Sequence, residues 1–233
     1  KKQSAKKYTG SSYIAYFQAY TNTYASLAYL EKLYMEAILH PDIRILSIAT
    51  RPDCLSTEIL DLLERLNQIK PVWVELGLQT IHERTARYIR RGYDLPVFET
   101  AVSELRRRGI DVIVHTILCL PGETKPDMLQ TIQYLNRQDI QGIKLQLLHI
   151  LKDTDLAEIY ASDPFPVPDP QEYYKLLGAC ISHLRPDIVI HRLTGDGPKE
   201  LLTAPLWTCN KRQVLNQLQS YFKTHDIWQG KEY

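Results

Sequence analysis

The sequence predicts an α/β fold: a partial (β/α) barrel followed by a C-terminal α/β extension. Three observations lead there. Apolar, β-branched runs alternate with amphipathic stretches at least five times, the pattern of βα units around a parallel sheet. Two of those runs, VWVELGL and DVIVHTILCL, are continuous rather than alternating, as strands buried on both faces are. Pro41, Pro71 and Gly109 stand where helices should return the chain to the next strand.

In order, strands are expected over Tyr13–Phe17 and residues 45–49, 72–78, 111–120 and 142–150. Helices are expected over 26–39, 56–68, 82–108 with a break at Arg91-Gly92, and 125–137. After Asp163 the run DPFPVPDP reads as a stiff, extended connector. A helix near 171–184, a short strand DIVIH and the segment RLTGDGPKELLTAPLWTCNKRQVL follow it. This divides the chain into a polar, basic lead (1–12), the TIM-like partial barrel (13–162) and an extension packed on it (163–233).

Composition excludes several classes. The 233 residues are 44% hydrophobic and 24% charged, enough for one large α/β domain. With 28 Lys and Arg against 27 Asp and Glu, no global basic field argues for nucleic acid. Cys54, Cys119, Cys180 and Cys209 lie far apart, without a CxxC pair or a disulfide framework, so a reducing, cytoplasmic setting is expected. No apolar run approaches the ~18 residues of a membrane span, and no signal-peptide pattern opens the chain. The first residue is Lys, and we expect a preceding segment.

In parallel α/β folds the reactive edge lies where strands run into their helices, and polar residues gather there. The first end, Gln18-Ala19-Tyr20-Thr21-Asn22-Thr23, offers amides and hydroxyls to a ligand, or an N-cap at Thr23 or Ser26. Arg51, fixed by Pro52, can grip a carboxylate or phosphate, or pair with Asp53 or Glu75. Glu75 lies inside a strand and must be paired or bound. In ILCLPGET the strand runs into Pro-Gly: either a plain turn, or a free edge at Leu118–Leu120 for a flat heterocycle, with His115 nearby and Glu123 capping the next helix.

Taken in order, FQAYTNT, SIATRPDC, ELGLQTIHERTARYIRRG, HTILCLPGET and LQLLHILKDTDLAEIY resemble the core of a radical S-adenosylmethionine (radical SAM) enzyme. The resemblance is to an elongator-like bacterial family of unassigned substrate, related to oxygen-independent coproporphyrinogen oxidase. It extends through HRLTGDGP and APLW. It implies two cofactors: S-adenosylmethionine, and a [4Fe-4S] cluster held by a Cys-x3-Cys-x2-Cys loop after the first barrel strand. At the cluster, S-adenosylmethionine is reduced to methionine and a 5'-deoxyadenosyl radical. None of the four cysteines has that spacing. The expectation is a chain that lacks its first strand and its cluster ligands and is inactive alone.

The resemblance also implies roles. Gln18, Ala19 and Thr21 match the segment that receives the methionine amine. Gln79 and Arg91 match a polar pair reaching the ribose and the methionine carboxylate, with Arg51 and Glu75 shaping the site. His115 stands at a ribose contact, and Ile117, Leu118, Cys119 and Leu120 resemble the adenine-binding strand. Relatives usually carry Gly where Cys119 stands, and His where Tyr93 stands. The turn with Arg192, Asp196 and Lys199 is the place for substrate specificity, or a glycine turn with surface charges. Partners implied are an unassigned substrate and a reducing electron donor, with no membrane. Two alternatives stay open: a cluster-less nucleotide-binding module, and an RNA-acting protein drawing on Arg90, Arg91, Arg106, Arg107 and Arg108. For the last three, complementing a helix C-terminus is the simpler account.

Overall fold

The computed structural model describes residues 12–195 and 197–233. Strand β1 (Tyr13–Phe17) leads into helix α1 (Leu27–Ile38), which buries Leu30, Tyr34 and Ile38 at four-residue spacing along one face. β2 (Ile43–Thr50) follows Pro41, and α2 (Thr57–Asn67) starts at Ser56, whose side chain accepts from the Ile59 amide. β3 (Val72–Gln79) buries Val72, Val74, Leu76 and Leu78, the even positions that share one face.

The long helical stretch after β3 breaks where Arg91-Gly92 predicted it, into α3 (Glu83–Tyr88) and α4 (Leu95–Arg107). Both helices end in the same way. Arg90 (φ 54°) and Gly109 (φ 68°) take the left-handed conformation, and the next amide reaches back, Arg91 to Ala86 and Ile110 to Leu105. β4 (Asp111–Leu118) and α5 (Lys125–Leu135) come next. Thr124 and Asp127 form the capping box of α5, the duty expected of Glu123.

β5 (Gly142–Leu147) is shorter than the expected strand 142–150. The Leu148 amide turns to the Leu118 carbonyl, and β6 (Ile150–Leu151) leaves for a second sheet. Two helices follow, α6 (Asp155–Ser162) and α7 (Pro170–His183), the latter with an Asp169–Glu172 capping box and proline at its start. β7 (Val189–Arg192), β8 (Leu202–Ala204) and α8 (Lys211–Thr224) complete the chain.

The main sheet has six strands in the order β1-β2-β3-β4-β5-β7, and β6 pairs with β8 in a separate antiparallel ribbon. The β1–β2, β2–β3 and β5–β7 pairs are parallel. This is the partial (β/α) barrel sheet that the sequence predicts.

Two compact units divide the chain. One takes it as far as Gly77 together with Pro96–Ile113; the other takes Leu78–Leu95 and Val114–Tyr233. The first has its core in Tyr34, Ile38, Leu46, Ile48, Leu63, Phe98 and Leu105, and the second in Ile132, Leu135, Ile143, Leu145, Tyr173 and Leu177, all fully buried. Each such side chain contributes about 1.5–3 kcal/mol. In the second unit the tail is stitched along the end of α7. The Gln229 amide donates to the Arg185 and Ile188 carbonyls, both at 2.7 Å, and the Gly230 and Glu232 amides donate to Ile181 (3.2 Å) and Ser182 (2.8 Å).

Candidate functional site

In the first unit the ends of β1 and β2 are tied together by the polar run after Phe17. The Asn22 side-chain amide donates to the Phe17 and Ala49 carbonyls (3.0 and 2.9 Å). The Thr23 hydroxyl lies 2.6 Å from that of Thr50 and donates to the Cys54 carbonyl (2.7 Å). Asn22 and Thr23 are thus structural, while Gln18 and Ala19 stay exposed, Thr21 half-buried, beside an exposed, left-handed Tyr20 (φ 61°). Ser26, not Thr23, precedes α1. Arg51 forks onto Asp53 at 2.9 and 2.7 Å, one of the two pairings its position suggested.

Glu75 is 4% exposed, and its carboxylate accepts from the Ser47 hydroxyl (2.7 Å) and the Tyr16 phenol (3.0 Å). Ser47 and Tyr16 went unnoticed in the sequence; the β1–β2–β3 register is what brings both within reach of Glu75.

In the second unit the backbone is constrained at the end of β3. Gln79 has φ 67°, and the Thr80 amide donates to the Leu78 carbonyl across it (2.9 Å). This is the positive-φ form of the three-residue γ-turn, rare and strained. A non-glycine residue held there costs roughly 1–3 kcal/mol and persists only where its surroundings over-determine it. The Gln79 Oε1 atom is buried with no hydrogen-bond partner among the described residues. An acceptor so placed suits a ligand's hydroxyl or amino group.

Thr80 supplies the over-determination. Its carbonyl accepts from Arg91 Nη1 (2.7 Å), and its hydroxyl donates to Glu123 Oε1 (2.6 Å) while accepting from the His82 amide (3.1 Å). His82 Nε2 lies 2.8 Å from the Asp127 carbonyl oxygen, a second tie between the same two loops. Burial pushes the Glu123 carboxyl above its ordinary range, against the Thr80 hydrogen bond and the nearby His82.

Arg91, expected to reach the methionine carboxylate, is enclosed by its own loop. Its side chain is 2% exposed, with Nε on the Tyr93 carbonyl (2.9 Å), Nη2 on Glu83 (2.8 Å) and the guanidinium 4.7 Å from the Tyr93 ring centre. The left-handed Arg90 turns it inward. Three of its five N–H donors are engaged in this way, which fastens the loop. The arginine triplet is also engaged. Arg106 bonds Asp111, Arg107 bonds Glu104, and Arg108, at 5% side-chain exposure, is surrounded by Glu104, Asp61 and Glu64.

On β4, His115 and Ile117 share a half-buried face and Leu118 is 2% exposed on the other; beyond the strand Cys119 is half-buried and Leu120 is 2% exposed in the core. The expected free edge is partly occupied: Leu118 and Leu120 carbonyls accept from the Leu148 and Glu123 amides, and the Cys119 amide points at Met128 Sδ (3.1 Å). Cys119 is left-handed (φ 64°), the conformation that favours glycine.

At the end of β7, Arg192 Nη1 lies 3.4 Å from Gln146 Oε1, and Lys199 is exposed in a short turn; Asp196 lies outside the described residues. Gly195 and Gly197 lie against His149, whose Nδ1 accepts from the Gly197 amide (3.3 Å). A Cβ at Gly195 would come within 2.6 Å of the imidazole, so the turn needs glycine there.

Among the described residues no group of three His, Cys, Asp or Glu could hold a metal ion. Burial pushes the free Cys119 and Cys180 thiols up to about 12. No helix among them is long and apolar enough to cross a membrane.

Comparison with known proteins bears on this geometry. The Radical SAM superfamily model matches residues 2–135, and the Radical_SAM C-terminal domain model residues 140–224. The uncharacterized protein YtqA of Bacillus subtilis is 39% identical over 231 residues, covering 99% of this chain and 72% of its own. Among solved structures, the Elp3 of the archaeon Methanocaldococcus infernus superposes with a TM-score of 0.81 at 16% identity over 98% of this chain. This chain spans only 58% of that one. Coproporphyrinogen III oxidase of Escherichia coli gives 0.54 at 18% identity, over 69% of this chain and 37% of its own. At these identities the two structures speak for the fold alone.

Proposed function

This chain belongs to the radical SAM superfamily, and from that premise we propose that it carries the S-adenosylmethionine-binding part of an enzyme acting by reductive cleavage of that cofactor. Members of the superfamily use S-adenosylmethionine and a [4Fe-4S] cluster. When bound, the pair supplies a 5'-deoxyadenosyl radical for attack on a substrate. The cluster does not fit the four cysteines: they form no ligand set among the described residues. No step is therefore assigned to them.

S-adenosylmethionine does fit the second unit. The observation that carries this reading is Gln79: a strained strand-end residue whose buried Oε1 has no hydrogen-bond partner among the described residues. Gln79 would accept from a hydroxyl or amino group of the cofactor. Ile117, on the half-buried face of β4, would give an apolar surface for the adenine ring, and His115 on the same face a polar contact. Leu118 and Leu120 hold the strand from behind, and Arg91 holds the loop that presents Gln79.

The test is direct. The protein is expressed from its native reading frame, reconstituted with iron and sulfide without oxygen, reduced, and assayed for 5'-deoxyadenosine. We expect product from the wild type, and a tenfold or weaker cofactor affinity in Gln79→Ala from loss of one buried hydrogen bond to ligand, ~1.4 kcal/mol. Unchanged affinity in that variant would remove the assignment.

A further inference from the structure

We propose that Thr80 and Glu123 are positioning residues for the cofactor: a clamp that keeps Gln79 in its left-handed turn without touching the ligand. The inference rests on the cofactor reading above and adds to it residues that no resemblance assigned.

Three facts carry it. First, every polar group of Thr80 is engaged. Its amide closes the turn over Gln79, its carbonyl takes Arg91, and its hydroxyl both donates to Glu123 and accepts from His82. Second, Thr80 is 1% exposed, so water cannot replace these partners. Third, Glu123 comes from the loop after β4, 43 residues away, just beyond the left-handed Cys119. One 2.6 Å hydrogen bond therefore joins the two strand ends on which the proposed cofactor contacts stand. Its partner carboxyl is partly buried and faces Thr80, Thr85, His82 and Asp127.

A merely structural staple would lower stability in any variant. A positioning clamp predicts something narrower: its loss should matter to the cofactor only through Gln79. The experiment uses Thr80→Val, Thr80→Ser, Glu123→Gln, Gln79→Ala and the Thr80→Val/Gln79→Ala pair. Two readouts are taken, S-adenosylmethionine affinity by equilibrium dialysis and hydrogen exchange of the Thr80 and His82 amides in the free protein.

We expect Thr80→Val to weaken S-adenosylmethionine about tenfold, the scale of a released strained turn, and to speed exchange at Thr80. Thr80→Ser, which keeps the hydroxyl, should restore both, and Glu123→Gln should lie between. In the Gln79→Ala background Thr80→Val should change affinity less than twofold, because neighbouring residues acting as one unit are not additive. Additive losses in the pair, or faster exchange with unchanged affinity, would overturn the positioning role. If the wild type bound no S-adenosylmethionine while Thr80→Val still sped exchange, the cofactor reading would fall, and the clamp's part in binding with it; unchanged exchange would remove the clamp itself.

Discussion

Replacing Arg91 with Ala should cost about 3 kcal/mol of stability, a figure worked from its partners. The guanidinium donates to two main-chain carbonyls, at Thr80 and Tyr93, and to the Glu83 carboxylate. A hydrogen bond from a charged donor contributes about 1.5–3 kcal/mol, and a buried carbonyl left without its donor costs about 1–3. Glu83 is 38% exposed, so water replaces most of the ion pair, leaving roughly 0.5 kcal/mol. These contributions overlap, since losing the Thr80 bond is the same event as orphaning its carbonyl. For a chain of this size about 3 kcal/mol lowers Tm by roughly 6–12 °C. Lys carries the charge but not the fork, so Arg91→Lys should recover only about a third of the loss. Thermal unfolding followed by circular dichroism reads both. A fall under ~2 °C in Arg91→Ala, or an Arg91→Lys equal to wild type, would refute the reasoning.

Other perturbations separate nearby residues. Cys119→Gly should leave Tm within ~2 °C, because relief of the left-handed strain offsets the freer unfolded chain; Cys119→Val should lower it clearly, and equal losses would contradict the strain. Arg108→Ala should lower the urea midpoint by the equivalent of about 1–2 kcal/mol through lost packing and pairing, and the exposed Arg107→Ala by less than ~0.5; the reverse ranking would refute the contrast. The Glu104 carboxyl is held down to about 2 by hydrogen bonds from Arg107 and Arg108. Its folded value lies below its unfolded one, so its stabilisation is complete above the ordinary 4.5 and is lost as pH falls toward 2. A carboxyl NMR titration with a midpoint near 4.5 would disprove the pairing.

Much of the fold was legible because it is written in apolar periodicity. The strands β1 to β4, the break between α3 and α4 and the helix after Pro170 all follow from runs and punctuation within a few residues of one another. Helix α8 escaped because its polar sequence buries only Val214 and Leu218, a stripe too narrow to stand out. The β5–β6 division escaped because both halves are apolar, and the Leu148–Leu118 bond that separates them joins distant residues.

The site was legible in type but not in use. Gln79 and Arg91 are the polar residues that the strand end offers, yet nothing local says that the Oε1 of one is left without a partner among the described residues and that the other is enclosed. Positive φ at Gln79, Arg90 and Cys119 carries no glycine to announce it. The Thr80–Glu123 bond spans two loops and exists only once the sheet has formed.

The stitched tail bears on how this protein is handled at the bench. The Gly230 and Glu232 amides donate to the Ile181 and Ser182 carbonyls at the end of α7, and the Gln229 side chain grips the approach to β7 at Arg185 and Ile188. A proteolytic cut just before Gln229 would expose that helix end and loosen the sixth strand of the sheet. Shortened material of this kind is a damaged domain, and its inactivity would say nothing about chemistry at the strand ends.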